Sequence, residues 1–404
     1  CARSPHGYLG TRGAMSAAEL LFWGCIATTA YTYFGYPLVL SIWTGLKRPD
    51  RDAMVPTEPE SGPPHVSMII PAYNEEAVIA RKIRNSLELD YPSDRLEIVV
   101  VSDGSSDATE RVAREAAGGR IRLVFREDHQ GKTACLNAVL PDLTGQIVVF
   151  TDANAFFLRD ALSRLVTHFS NPRVGCVMGE LKYRNEGSLN AALGEGLYWR
   201  YENFIKERES RLGSTIVGNG AIYAVRRSLC MPLPLEVEAD VANPLLALRA
   251  GYRVIFDRGA RCWEMAAGTV REEFGRKTRI ITNQLTTYLY GFRQLAPLPA
   301  GAVFQIFCHK FLRWLVPFFL AGVALANAAE SEGSALWGWG LVLQGVFYCL
   351  AVVGWAMELG GRAVPKPLFV PYYFCAVNAA AVKGMLDFVL GRRRIVWEKA
   401  ASTR

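Results

Sequence analysis

The sequence predicts an α/β protein: a Rossmann-like, mostly parallel sheet with helices on both faces, joined to α-helical transmembrane segments. Two observations carry this expectation. Between residues 65 and 150, apolar runs without period-2 alternation are separated by amphipathic helical stretches, the pattern of a parallel sheet buried on both faces. Charge is also unevenly spread. Half of the 404 residues are hydrophobic, yet long segments near both ends carry almost no charge, and most of the charged residues fall between 47 and 300.

In chain order, residues 1–16 form an N-terminal extension without the compact layout of a cleaved signal, and Met15 is a candidate start. Residues 17–46, "AAELLFWGCIATTAYTYFGYPLVLSIWTGL", hold one charge, Glu19, and are long enough to cross a bilayer. Lys47 and Arg48 follow, so this run reads as a retained anchor with the next domain on the cytoplasmic side. Residues 47–64 are a Pro-rich polar linker. Strands are expected at "HVSMII" (65–70), "EIVVVS" (97–102), "IRLVF" (121–125) and "QIVVF" (146–150), with helices at 75–89, 107–117 and 132–139. Residues 189–211 read as a long amphipathic helix whose Tyr198, Trp199 and Tyr201 suit core packing, or stacking on sugar rings.

The domain extends to about residue 300, and interfacial and transmembrane helices fill 301–391. His309, Lys310 and Arg313 fit an interfacial helix leading into the apolar span 314–328, with further spans at 335–358 and 368–390. If all three cross, the basic tail 392–404 lies outside, against the positive-inside tendency. Lys383 and Asp387 therefore suggest a re-entrant or interfacial last segment, with polar groups bordering a conduit. Nine scattered cysteines without CxxC pairing argue against a disulfide framework or structural zinc and for a reducing compartment.

Ligands of parallel sheets bind at the strands' carboxyl ends. The residues there are "PAYNEE" (71–76), "DGSSDAT" (103–109), "REDHQGK" (126–132) and "TDAN" (151–154). Any one of these acids could be a helix cap or turn former, and Asp107 is read as a cap. Acids converging from successive strand ends beside Lys132 need a cation or donors among them.

The run "VSMIIPAYNEE…VVVSDGSSD…GKTACLN…VVFTDAN", continued by "GNGAIYAVRR", "ADVANPLLALRAGYRV", "RKTRI" and "HKFLRWLVPFFL", resembles a family 2 inverting glycosyltransferase of the GT-A fold. The likeness is to the membrane-embedded branch of cellulose, hyaluronan and poly-N-acetylglucosamine synthases. It implies that Ala72, Tyr73, Asn74 and Glu75 hold uridine and ribose, with Asp103 on the base and Lys132 along the nucleotide pocket. Asp152 would face the diphosphate and its Mg2+ or Mn2+. Gly218, Asn219, Gly220 and Ala221 would form the acceptor floor. Asp240 falls at the catalytic base, and Arg276 and Arg279 fall in the diphosphate clamp.

The chemistry asks for the same groups. Displacing a nucleoside diphosphate from an anomeric carbon needs a carboxylate to take the acceptor's proton and cations for the leaving phosphates. Asp240 is equally suited to capping the helix expected at 241–250, and Arg279 to meeting lipid headgroups; the arginine fork, however, matches diphosphate oxygens.

Three positions depart from the family pattern. Asn154 replaces a second aspartate, leaving Asp152 as the one charged metal ligand and a looser site. Ala239 replaces an acid beside the base, which should ease ionisation of Asp240. Ile280 replaces a tryptophan beside the growing chain, so processive elongation is not expected from this position. The implied activity is transfer from a UDP-sugar to a growing saccharide, giving a β-linked exopolysaccharide or oligosaccharide; the alternative is a single sugar added to a lipid-linked acceptor. Membrane lipid is an expected partner and nucleic acid is not.

Overall fold

The structure, a computed structural model, describes residues 15–47, 62–184, 189–265, 269–294, 297–331 and 335–392, without the side chains of 189–198 and 336. Most of the extension, linker and basic tail, and the side chain of Tyr198, lie outside the described residues.

Helical structure opens the chain. Helix α1 (Ala17–Ala30) passes through a π-helical turn, Tyr31–Gly35, into α2 (Tyr36–Leu46). An eight-stranded sheet then forms in the order β3-β2-β1-β4-β7-β6-β8-β5. Its strands are β1 (Val66–Ala72), β2 (Leu96–Asp103), β3 (Arg122–Arg126), β4 (Ile147–Thr151), β5 (Phe156–Phe157), β6 (Val174–Arg184), β7 (Ile222–Arg226) and β8 (Arg253–Met265). The four strands expected from sequence are mutually parallel, with Ile69 opposite both Val99 and Phe150. Beyond them β7 runs antiparallel to β4 and β6. All seven residues of β1 are buried, which is why its sequence shows no alternation.

Both faces are covered. Met68, Ile70, Val100 and Val149 share a core with Ile79 and Ile83 of α3 (Ile79–Leu87), and with Ala113 of α4 (Thr109–Ala117). Ile69, Val99, Val148 and Phe150 pack on the other side with Leu136 of α5 (Lys132–Val139). Helix α3 starts later than expected because residues 75–78 make a turn in which the Glu75 carbonyl accepts from Val78 and Ile79. The cap position of α4 is Ala108, not the expected Asp107; Asp107 lies one residue earlier and accepts from the backbone N–H of Thr109 at 2.9 Å, forming the turn that leads into the helix.

The next helices are α6 (Ala161–Thr167), α7 (Leu189–Leu212), α8 (Ala239–Arg249) and α9 (Val270–Gln294). The chain ends in α10 (Ala300–Ile306), a π-helical turn Phe307–Phe311, α11 (Leu312–Glu330), α12 (Ala335–Leu359) and α13 (Lys366–Val389). Among the described residues three helices are long and apolar enough to cross a membrane: Ala300–Glu330, Trp337–Leu359 and Lys366–Val389. The anchor expected at 17–46 is not one of them, since Thr28, Thr29, Tyr31, Thr32 and Tyr33 dilute its middle. It does expose Leu20, Leu21, Trp23, Phe34, Leu38, Ile42 and Trp43.

The last segment is one continuous 24-residue helix, which does not turn back as a re-entrant segment would, and Lys383 bonds Asp387 one turn along it at 2.8 Å. His309 and Lys310 of the expected interfacial helix are buried within the protein. Their partners are glutamates of α7, at 2.8–2.9 Å, a pairing between distant segments that local sequence does not reveal.

Helix α9 joins domain and membrane helices. Its Ile281 and Tyr288 belong to the same core as Leu245 of α8, Trp314 of α11 and Ala381 of α13. Gly384 permits the approach: an added Cβ would sit 2.9 Å from Ile281 Cβ and 3.0 Å from the Thr278 carbonyl. The Thr282 hydroxyl donates to the Gly384 carbonyl at 3.0 Å. Gly384→Leu should therefore force the helices apart and cost ~1–3 kcal/mol of stability. Thermal unfolding of the detergent-solubilised protein measures this, and an unchanged midpoint would mean that the contact is not tight.

Candidate active site

At the carboxyl ends of the parallel strands, a cavity of about 1220 Å³ opens between the sheet, α7, α8, α9 and α13. It gathers most of the residues singled out in the sequence. Glu75, Lys132, Asp152 and Asn154 come from the strand-end loops, and Gly218 to Ala221 precede β7. Asp240 comes from α8; Arg276, Arg279 and Ile280 come from α9.

Gly131 adopts φ 94°, a conformation open to glycine, and its N–H donates to Asp103 at 2.6 Å. The turn aims Lys132, first residue of α5, at the end of β4. Its ammonium bonds Asp152 Oδ1 and approaches the Gly220 carbonyl at 3.4 Å. A Cβ at Gly220 would lie 3.0 Å from Lys132 Nζ, 3.4 Å from Asp240 Oδ2 and 3.7 Å from Asp152 Oδ2. Gly220 thus leaves open the point on which these three groups converge. Nearby, Asn219 keeps its buried side-chain NH2 without a hydrogen-bond partner among the described residues.

Asp240 lies inside the first turn of α8, whose cap position is Glu238, and it makes no capping hydrogen bond. The cap role is therefore set aside. Burial raises the Asp240 pKa and Asp152 adds to this, against the opposing charges of Lys132 and Lys206. Ala239 removes one acid, but Glu238 on its other side supplies another. The Glu238 carboxyl is pushed up to about 8 by burial and by Asp240, opposed by Arg279, Asn283 and Lys132.

Arg276 is fixed by Glu273 at 2.8 Å and by the Tyr183 hydroxyl at 2.8 Å. Four other sequence candidates are absent from the cavity wall: Ala72, Tyr73, Asn74 and Asp103. Fully buried Asp103 accepts from Gly131 N–H, Gln130 N–H and Arg126, and its Oδ2 lies 2.8 Å from His129 Nδ1. Tyr73 stacks on His129 with centroids 3.5 Å apart. The Asn74 side-chain oxygen accepts from the Ser106 backbone at 2.7 Å. These residues bind neighbouring loops together.

Sequence reasoning missed two groups. Glu264, on the wall at the end of β8, is pushed up to about 8 by burial and by Asp152, opposed by Arg276, Lys132 and Lys82. Lys82 is fully buried and donates to the Thr151 hydroxyl at 2.8 Å and the Ala155 carbonyl at 2.5 Å, bracing the loop that carries Asp152 and Asn154. A signal existed for it: Lys82 falls on the same helical stripe as Ile79, Ile83 and Ser86.

A divalent cation fits these donors. Asp152 has one oxygen on Lys132 and the other facing the convergence point, and Asn154 shares the wall. A cation held by one carboxylate and one amide oxygen would take its remaining ligands from phosphate and water.

Fold and cavity together define a glycosyltransferase domain of the GT-A type. Residues 67–231 match the family Glycosyl transferase family 2, and the chain carries a domain of that family. It is similar to a beta-monoglucosyldiacylglycerol synthase of Trichormus variabilis, 32% identical over 231 residues, 54% of this chain and 49% of that one. A poly-beta-1,6-N-acetyl-D-glucosamine synthase of Staphylococcus epidermidis is 23% identical over 266 residues, 60% of this chain and 64% of that one. The chain thus spans about half to two thirds of the length of these curated relatives. Among solved structures, a mannosyltransferase from Pyrobaculum calidifontis in complex with GDP-Man and Mn2+ superposes with TM-score 0.72 at 26% identity. That match covers 93% of this chain and 100% of the other.

Two outcomes are expected. A base works deprotonated, and burial raises the Asp240 pKa. With Asp240 as the base, activity should fall with decreasing pH on a limb displaced upward from the ordinary carboxylate value, and Asp240→Asn should lose ~10²–10⁴-fold in kcat. A kcat/KM–pH profile and the mutant's turnover, with UDP binding retained, check this. In Mn2+ titrations of UDP binding, Asp152→Ala should abolish the metal dependence while Asn154→Ala only weakens it, since water replaces a neutral ligand more readily than a charged one.

Proposed function

We propose that the protein is a membrane-integrated inverting glycosyltransferase. It would take a UDP-sugar, with Mg2+ or Mn2+, and transfer the sugar to an acceptor that reaches the site from the bilayer. The observation carrying this reading is the course of the cavity. The wall that holds Asp152 and Asp240 also includes Tyr33 and Phe34 of the first helical run, and Phe369 and Phe374 of α13. Polar chemistry and an apolar slot between membrane helices share one space.

In this reading Asp240 takes the proton of the acceptor hydroxyl as its oxygen attacks the anomeric carbon, and the bond to the diphosphate breaks on the opposite side. Inversion follows from a single displacement, giving a β-linkage from an α-linked donor. Arg279, Arg276 and Lys132 would offset charge on the leaving diphosphate, and Asp152 and Asn154 would hold the cation, which would supply Lewis acidity to the leaving phosphates. The domain would face the cytoplasm, where nucleotide sugars reside.

A lipid-linked acceptor receiving one or a few sugars suits the apolar slot and Ile280. A glycolipid-synthase relative is in keeping with it. Growth of an oligosaccharide or exopolysaccharide is the second reading. It is favoured by Trp199 and Tyr183, whose rings lie 5.7 Å apart on the wall, and by a volume above the usual small-ligand range.

The test is nucleotide release by the purified full chain across UDP-sugars, with GDP-mannose as comparator and mass analysis of products. Release from no donor, in lipid and with metal present, would overturn the reading. Ile280→Trp should shift products toward longer chains with little change in initial UDP release, because an indole offers a flat rest for a sugar ring. Long polymer from the wild type alone would show that retention does not depend on this position.

A further inference from the structure

A second charged cluster lies on the membrane side of the same cavity. Glu202 and Glu209 of α7 are both buried, and both have their donors. Glu202 accepts from Lys310 at 2.8 Å and Arg313 at 2.7 Å, with His309 Nε2 at 2.9 Å. Glu209 accepts from the Tyr36 hydroxyl at 2.7 Å and Thr215 at 3.0 Å, with His309 Nδ1 at 2.8 Å.

Lys206, one turn from each glutamate, is different. It is 1% exposed and lines the cavity, yet among the described residues its ammonium makes no hydrogen bond or ion pair. It lies over the rings of Trp199 and Phe256, at 5.2 and 5.9 Å from their centroids. Lys206, Lys310 and Arg313 thus set three cations against two carboxylates that are already occupied. A buried ammonium without a paired anion is costly, and this one faces a cavity large enough to admit an anion.

We infer that Lys206 marks an anion subsite for the acceptor, and that the acceptor carries a phosphoryl group between its lipid tail and the end that meets Asp240. This rests on the acceptor reading above and narrows it from any lipid to a phosphate-bearing one. The tail has apolar walls beyond the cluster, at Phe34, Phe369 and Phe374. The donor's diphosphate would have its own cations, Lys132, Arg276 and Arg279, from α5 and α9 rather than α7. The lysine is near enough to Asp240 for its charge to favour the ionised carboxylate, so phosphate and reacting hydroxyl would sit close together. Burial lowers the Lys206 pKa to about 8, with Lys310 adding to this and Glu202, Glu209 and Asp240 opposing it; the group remains a cation at neutral pH.

The experiment uses the full chain in nanodiscs of zwitterionic lipid, with decyl phosphate, decanol and inorganic phosphate as probes and thermal shift as readout. Decyl phosphate should bind at least tenfold more tightly than either of the others. Lys206→Met should abolish that preference, and Lys206→Arg should keep most of it. Lys206→Met removes a buried charge without stranding a paired carboxylate, so folding should survive; an unliganded midpoint near wild type checks this. Equal binding of decyl phosphate and decanol overturns the inference, as does a preference that persists in Lys206→Met. Inorganic phosphate binding as tightly as decyl phosphate would mean a free anion and overturn the lipid assignment. A shift confined to the pH limb of Asp240, with probe binding unchanged, would make Lys206 only a partner of the base. Mn2+-dependent UDP binding on the same samples separates the failures. Intact UDP binding without a phosphate preference defeats this inference alone, whereas absent nucleotide binding defeats the donor reading.

Discussion

Among the carboxyl groups that line one cavity, those of Asp152, Asp240, Glu238 and Glu264 lie around the ammonium of Lys132, which is what allows them to share it. Its charge opposes protonation of Asp240, Glu238 and Glu264 and it bonds Asp152 directly. In return these acids keep Lys132 protonated, raising its pKa although burial alone would lower it. Two unit charges about 4 Å apart interact by ~4 kcal/mol at an effective dielectric of 20, so a single cation at the centre outweighs much of the mutual repulsion. The arrangement is also adaptable. A divalent cation or a diphosphate brings charge to the same point, and a lysine can yield Asp152 where a rigid structural cross-link could not.

Backbone shape makes that centre possible. Gly131 turns Lys132 inward, and Gly218 lets the acceptor loop pass so close to Asp240 that an added Cβ would fall 1.6 Å from its carbonyl oxygen. From the other side α9 carries Arg276 and Arg279, and its position is set by contact with α13 at Gly384. The two arginines are therefore held by α13, a helix long and apolar enough to cross a membrane, as much as by the sheet.

The parallel half of the sheet was legible because burial on both faces leaves unbroken apolar runs such as Val66–Ala72. The cavity's strand-end residues were legible because parallel sheets put function at their carboxyl ends. What was not legible depends on distant partners. Lys310 beside a run of hydrophobics reads as a headgroup contact until Glu202, more than 100 residues earlier, is found against it. Asp103 adds a further case: its motif points to a nucleotide, and the folded chain also supplies it with donors from residues 126–131, partners that the motif itself does not reveal. Tyr198 and the basic tail lie outside the described residues, so the reading of each rests on sequence alone.

The chain of bonds Tyr36–Glu209–His309–Glu202–Arg313 links the first helical run, α7 and the 300–330 helix through buried polar groups. Lys47 adds a bond from the end of that first run to the last carbonyl of α7, at 2.6 Å. Removing one partner from such a network leaves its counterpart buried and uncompensated, a cost of ~3–5 kcal/mol for an ion pair. The first helices are thus bonded into the catalytic domain rather than tethered to it. The apolar part of the cavity wall, with Phe34, Phe369 and Phe374, is built where the first helical run and α13 meet the domain, so the proposed division between donor and acceptor sides would depend on this junction as much as on the sheet.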